Sequence, residues 1–186
     1  MNRNIAVKIV LLIALLALPL ISCAIEPEGD EDAGKKITHL INDLREEQGL
    51  DPISVSESLA IVATKHAKDL QENGVISEDC NAHSWSDDGN WEPCCFTNDG
   101  SALECMTDKP EEITGYPDSG YELVARLNGA YISPQEAMEV WQSSEASLDI
   151  ILSRGSWAGK KWKAMGAARN KEFAVLWFGE TYEPAD

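Results

Sequence analysis

The four cysteines between residues 80 and 105 form the densest group of reactive side chains in the sequence. A bond between the neighbours Cys94 and Cys95 would strain the peptide geometry. Two pairings remain, which are 80–94 with 95–105, or 80–95 with 94–105. The spacing Cys80-x-x-His83 also suits a zinc-ligand pair, but no second pair of this kind occurs. The sequence therefore predicts two disulfides and leaves their pairing open.

The three histidines differ in their surroundings. His66 lies on the apolar face of a predicted helix, which favours a buried, hydrogen-bonded core residue. His39 precedes Asp43 by one helical turn and is predicted to form a surface pair. His83 lies in the cysteine-rich segment and remains the candidate for chemistry. No Gly-x-Ser-x-Gly elbow indicates a serine nucleophile.

The N-terminus predicts export and a lipid anchor. A basic start is followed by an apolar run over residues 9–18, too short to span a bilayer, as in a signal peptide. Leu20-Ile21-Ser22-Cys23 resembles a bacterial lipobox, and an ordinary signal peptide is the alternative. Residues 1–22 are thus a predicted lipoprotein signal peptide, Cys23 the lipidation site and 23–34 an acidic tether. Such a protein would be anchored in the cell envelope, where disulfides persist. In lipoproteins of Gram-negative type, a residue such as Ala24 after the lipidated cysteine implies sorting to the outer membrane, with the domain periplasmic or surface-facing.

The excess of acidic residues excludes two classes of partner. The 186 residues include 15 Lys and Arg against 32 Asp and Glu, a formal net charge of -17. Phosphate binding and docking on anionic lipid both need basic clusters, so we expect neither nucleic acid nor an electrostatically bound membrane surface. Hydrophobic residues make up 44%, which is typical of a globular protein, and residues 35–183 suit one domain.

Apolar spacing predicts helices first and strands late. Ser133 and Glu136 form a capping box that begins a long helix. This order favours an α+β fold with an antiparallel sheet over a parallel βαβ arrangement. The predicted elements are helices over residues 35–48, 56–73, 121–127 and 133–152, a disulfide-stapled loop over 77–119, and a strand hairpin over 162–168 and 172–178.

Short motifs occur in a characteristic order between residues 36 and 180. They are Asn42-x-Leu44-Arg45, Gly49-Leu50-x-Pro52, Leu59-x(3)-Ala63-x-x-His66-Ala67, His83-Ser84, Gly120-Tyr121-Glu122, Trp141-x-x-Ser144 and Trp177-Phe178-Gly179. In this order and spacing they resemble the CAP superfamily, which comprises cysteine-rich secretory proteins, antigen 5 and pathogenesis-related class 1 proteins. The resemblance implies a three-layer α-β-α sandwich with a central antiparallel sheet.

The resemblance also implies a cleft with two histidines and two acidic residues. By motif position His83 matches the first histidine, and Glu122 matches the glutamate of a Gly-Glu-Asn type motif with one residue inserted or displaced. The second acidic and second histidine positions fall on Ser144 and Ser147. One imidazole and one carboxylate hold a divalent cation poorly, so we predict no metal and no cofactor.

His83 and Glu122 are predicted to pair across this cleft, either as a polar anchor or general base, or as a buried pair that ties the loop to the domain. The ligands of the family include sterols, fatty acids and proteins. The sequence therefore predicts a binding module for a lipid, a small apolar ligand or a protein partner. The alternative is a hydrolase that uses His83 and Glu122.

Overall fold

The computed structural model describes residues 30–183. The predicted signal peptide, Cys23 and the first part of the predicted tether lie outside these residues. No helix within 30–183 combines the length and the apolar character that crossing a bilayer requires. The elements are helices α1 (Asp30–Glu47), α2 (Glu57–Asn73), α3 (Glu104–Thr107), α4 (Lys109–Thr114), α5 (Pro134–Gln142) and α6 (Glu145–Ile151), a 3-10 turn (Gly155–Trp157), and strands β1 (Ser54–Val55), β2 (Tyr121–Arg126), β3 (Ala164–Asn170) and β4 (Phe173–Gly179).

The sheet has the strand order β1-β3-β4-β2. Strands β3 and β4 form the predicted antiparallel hairpin, with Asn170 opposite Phe173 and Lys171 in the turn at a φ of 47°. Strand β2 is antiparallel to β4, whereas the two-residue β1 is parallel to β3. The sheet is therefore antiparallel except at one short edge.

Two apolar clusters cover the two faces of the sheet, which makes the fold a three-layer α-β-α sandwich. Helices α1, α5 and α6 pack on one face through residues such as Ile37 and Trp141. Helix α2 and the disulfide-bonded loop pack on the other through residues such as Leu59 and Trp85. The α+β class and the layers predicted from the family resemblance are confirmed.

The helix expected over residues 121–127 is absent, and residues 121–126 form strand β2 instead. Leu123 and Ala125 belong to the cluster beneath α5, while Val124 packs against the cluster around α2. A six-residue segment with this composition fits the periodicity of a helix as well as that of a strand. Because it lies between two apolar layers and contributes side chains to both, it forms a strand.

Two further boundaries differ from those expected. Helix α1 begins at Asp30, inside the predicted tether, because Gly34 lets it lie against the backbone of Ala167; a Cβ there would approach Ala167 O to 2.2 Å. The helix expected over 133–152 is two helices, because Ser144 has an extended backbone and caps a new helix, α6.

Candidate functional site

The disulfide-bonded loop positions one side of the site. Cys80 is bonded to Cys95 and Cys94 to Cys105, which selects one of the two pairings left open by the sequence. Both Cys80 and Cys94 also take part in short antiparallel bridges inside the loop. Because its sulfur lies in a disulfide, Cys80 is not a thiolate ligand for zinc. The loop is thus cross-linked on both sides of His83 and held close to the sheet.

Glu122 lies at the centre of the site, on strand β2. Its side chain is fully buried on the face of the sheet that α2 covers. Oε1 lies 2.5 Å from His66 Nδ1, and Oε2 lies 2.7 Å from His83 Nδ1. One carboxylate therefore joins three elements: the sheet, helix α2 and the disulfide-bonded loop.

The hydrogen bonds of the cluster favour the ionised form of Glu122. His66 Nε2 lies 3.0 Å from Ser84 O, and since a carbonyl only accepts, His66 Nε2 is the donor. Burial alone would raise the pKa of Glu122, but the charge of His66 and the hydrogen bonds from both histidines outweigh it and lower the pKa. The centre of the site is therefore a buried carboxylate that is hydrogen-bonded to two imidazole rings.

His66 is a member of the site that the sequence interpretation assigned only to the core. It is fully buried and bonded at both ring nitrogens, as expected, and its ring stacks on Trp85 with centroids 4.0 Å apart. The unforeseen feature is its partner, Glu122. A strand over residues 121–126 would have revealed the contact, since Glu122 and Val124 then point towards α2.

His83 presents the only imidazole of the cluster that reaches the surface, with 27% of its side chain exposed. Its backbone N–H donates to Asn81 Oδ1 at 2.9 Å, and Phe96 contacts the ring edge-on. The bond to Glu122 Oε2 places the hydrogen on His83 Nδ1. Nε2 has no hydrogen-bond partner among residues 30–183, so it offers an oriented lone pair to a ligand or a proton.

The two serines of the expected tetrad lie elsewhere. Ser144 caps α6, where its Oγ accepts from Ser147 N at 3.3 Å. The apolar residues of α6, such as Ile151, belong to the cluster on the opposite face of the sheet from His66. No hydrogen bond within the described part of the chain joins either serine to His83 or Glu122. The structure brings together two of the four expected residues and adds His66.

The cluster does not fit a metal ion. Both Nδ1 atoms and both carboxylate oxygens are bonded to one another, and His66 Nε2 is a donor. Only His83 Nε2 remains as a ligand atom, whereas a stable site needs at least three. In the described segment, residues 30–183, no group of three or more His, Cys, Asp or Glu side chains could hold a metal ion. The third histidine, His39, lies 3.6 Å from Asp43 on the surface, as predicted.

The three residues of the cluster lie within a segment that matches a known protein family. The family model of the cysteine-rich secretory protein family, CAP, matches residues 38–175. This chain belongs to the CAP family. The match includes His66, His83 and Glu122, so the whole cluster lies inside the CAP domain. A comparison with curated proteins finds no match.

Three solved structures share the CAP fold of this chain. An extracellular protein with an SCP domain from Bacillus anthracis str. Ames is 17% identical with a TM-score of 0.57, covering 82% of this chain and 41% of that one. A cysteine-rich secretory protein from Staphylococcus aureus subsp. aureus Mu50 is 15% identical with a TM-score of 0.55, and the match covers 83% of this chain and 40% of that one. An outer surface protein from Borrelia burgdorferi is 18% identical with a TM-score of 0.53, and the match covers 78% of this chain and 90% of that one. This chain spans about two fifths of the length of the first two.

Proposed function

We propose that this CAP domain is an exported, lipid-anchored binding protein that holds its ligand at His83 Nε2. The observation that carries the proposal is the arrangement of the buried cluster. His66 and Glu122 are fully bonded to each other and to the protein, so they support the site without contacting a ligand. His83 Nε2 is the one unbonded polar atom of the cluster, on a ring held in place from behind by Glu122. Such an atom suits a ligand O–H or N–H group.

Export and anchoring are supported by the N-terminal pattern and by the nature of the similar proteins. The Bacillus anthracis protein is described as extracellular and the Borrelia burgdorferi protein as an outer surface protein. Two disulfides suit the same compartment. We propose that Cys23 carries the lipid and that residues 24–29 lead from the membrane to α1.

The ligand is proposed to be a lipid, a small apolar molecule or a protein segment, each with a hydrogen-bond donor directed at His83. Phe96 provides apolar surface beside the imidazole, with ring centroids 5.6 Å apart. A ligand that combines an apolar body with one donor would use both features.

The test of the binding function is recovery of a ligand with the purified protein. Native mass spectrometry of wild type and His83→Gln is compared, with His39→Gln as the matched control because His39 is an exposed histidine away from the cluster. We expect a bound species in wild type and His39→Gln and its loss in His83→Gln. Equal occupancy in all three proteins would contradict the assignment of His83.

A hydrolase is the second candidate, and one specific observation favours it. A carboxylate bonded to imidazole Nδ1 with Nε2 left open is the geometry of a general base. No serine or cysteine among residues 30–183 is hydrogen-bonded to His83 Nε2, so the base would have to activate water. Turnover of generic peptide and ester substrates by wild type, lost in a folded His83→Ala variant, would establish this function. Unchanged turnover in His83→Ala would show that His83 is not the general base.

The lipid anchor has its own test. Labelled palmitate should enter the wild-type protein in cells and should be absent from Cys23→Ser. Incorporation into the Cys23→Ser variant would show that Cys23 is not the lipidation site.

A further inference from the structure

Strand β2 has an open edge next to the His83 site. It is the last strand in the order β1-β3-β4-β2, and within residues 30–183 it pairs only with β4. Just beyond its end, Leu127 N donates to Glu172 O on the β4 side. Backbone groups alternate along a strand, so those of Tyr121, Leu123 and Ala125 also face β4. The N–H and C=O groups of the other three residues, Glu122, Val124 and Arg126, therefore face away from the sheet.

These outward groups have no hydrogen-bond partner within residues 30–183. Arg126 is exposed and Val124 is half-buried. The side chain of Glu122 is fully buried while the residue as a whole is 3% exposed, so its exposed area belongs to its backbone. The backbone of the edge is accessible at Val124 and Arg126, and it becomes less accessible at Glu122, beside His83.

The opposite edge of the sheet is closed. Strand β1 covers the start of β3 for two residues. Beyond it, helix α1 approaches β3 so closely that a Cβ on Gly34 would lie 2.2 Å from Ala167 O. A new strand could therefore add at β2 but not at β3.

A buried charge on an edge strand usually opposes pairing with another chain, because the incoming strand would remove the charge from water. Glu122 does not oppose it, because its carboxylate is already out of water and each of its oxygens is hydrogen-bonded to a histidine. The charge of Glu122 therefore does not protect this edge from the addition of another strand.

We propose that the edge of β2 binds an extended peptide, added as a further strand antiparallel to β2, whose side chain opposite Glu122 bonds to His83 Nε2. This rests on the proposed binding function of His83 and names its ligand class. Donors and acceptors two residues apart repeat every ~7 Å along an extended chain, which matches the unpaired groups at residues 122, 124 and 126; a lipid has no such repeat.

The register predicts the sequence of the peptide. Side chains opposite one another on a face have Cβ atoms ~5 Å apart, so the residue opposite Glu122 lies beside His83 and should carry a hydroxyl donor. Arg126 bonds Glu172 through Nε and Nη2, which leaves Nη1 for an acidic residue opposite Arg126. In an antiparallel strand that acidic residue precedes the hydroxyl residue by four positions, with a β-branched residue midway, opposite Val124.

The test uses the acetylated, amidated heptapeptide Thr-Glu-Thr-Val-Thr-Ser-Thr and two N-methylated forms. Methylation of the central Val nitrogen removes an N–H that faces β2, whereas methylation of the Thr before it removes one that faces solvent. We expect shifts of the Glu122, Val124 and Arg126 amide resonances on titration. The Val-methylated peptide should bind at least about tenfold more weakly, and the Thr-methylated peptide as the parent does.

Three variants complete the experiment. Val124→Pro removes an outward N–H without removing a bond to β4 and should abolish binding, while Val124→Ala should retain it; a thermal melt confirms that both are folded. Equal binding of the two methylated peptides, or no shift of the three amides at millimolar peptide, would overturn strand addition and leave the ligand of His83 to be a lipid or small molecule. Methylation-sensitive binding that is unchanged in His83→Gln would support strand addition and contradict the anchoring function of His83.

Discussion

The two faces of the sheet are stabilised in different ways. Beneath α1, α5 and α6 the buried residues are mainly apolar, such as Ile41 and Trp141, and a charged exception is Arg45, which donates to the backbone of Ile151. Beneath α2 the buried layer also contains His66, Asp69, Ser84 and Glu122, together with two disulfides at its edge. Strand β2 contributes to both faces by simple alternation. The comparison shows that one strand can supply packing on one side and a charged site on the other.

The stability of the polar face depends more on specific hydrogen bonds, whereas that of the apolar face depends mainly on packing. Asp69 on α2 accepts from Ser86 N at 2.9 Å, which attaches the loop to the helix independently of the histidine cluster. The loop has few regular backbone bonds of its own, so its position relies on these contacts and on the disulfides. Substitutions on the two faces should therefore differ in how much they change the free energy of unfolding, in the pH dependence of that change and in their effect on binding.

The largest effect is expected for Glu122→Ala. This change removes the buried carboxylate that is hydrogen-bonded to both His66 and His83, and breaking a buried pair of this kind typically costs about 3–5 kcal/mol in the free energy of unfolding. Urea denaturation at neutral pH would measure it. On the apolar face Ile41→Ala creates a cavity and should cost about 2–4 kcal/mol. A smaller cost for Glu122→Ala than for Ile41→Ala would show that the polar cluster stabilises the fold less than apolar packing does.

Removal of one disulfide is expected to have the next largest effect. The double variant Cys94→Ser/Cys105→Ser opens a cross-link between residues 11 apart and should lose about 2–3 kcal/mol. Amide hydrogen exchange should become faster around His83 and Trp85 and stay unchanged in α1. Faster exchange throughout both faces would mean that the loop is not a separate stabilising unit.

The third difference is pH dependence. The pKa of Glu122 is lowered in the folded protein, so its stabilising contribution is complete above the unfolded value of about 4.5 and declines as the pH falls towards the folded pKa. One proton changes stability by about 1.4 kcal/mol per pH unit in this range. Denaturation between pH 3 and 6 should show a slope in Ile41→Ala like that of wild type and a shallower slope in Glu122→Gln. Parallel slopes would exclude Glu122 as the titrating group.

The smallest effect is expected at Ser144. Loss of its capping hydroxyl in Ser144→Ala should cost about 1 kcal/mol and leave ligand capture unchanged, because the residue lies on the apolar side. Thermal denaturation and native mass spectrometry would report the two quantities. Reduced ligand capture in Ser144→Ala would restore Ser144 to the binding site that the family resemblance suggested.

The sequence predicted the parts of this molecule that local patterns determine. The helix over residues 56–73, the capping box of Ser133 and the β3–β4 hairpin were all recognisable from residue types at fixed offsets, and the structure contains them. The pairing of His83 with Glu122 followed from motif order, because the family places those positions in one cleft.

The remainder depended on contacts between distant residues. Strand β2 has no local feature that separates it from a helix, and its assignment decides which way Glu122 points. Without the direction of the Glu122 side chain, its hydrogen bond with His66, 56 residues away in the sequence, could not be derived. The disulfide pairing was undetermined for the same reason, since both alternatives close loops of similar length.

The line of hydrogen bonds from Ser84 O through His66 and Glu122 to His83 has a consequence for affinity. The His83 ring is already fixed in the free protein, so a ligand that binds Nε2 does not have to immobilise it. Immobilising a flexible side chain at an interface typically costs about 0.5–1.5 kcal/mol. The buried pair has therefore already met this entropic cost during folding, and a single hydrogen bond to His83 retains more of its strength.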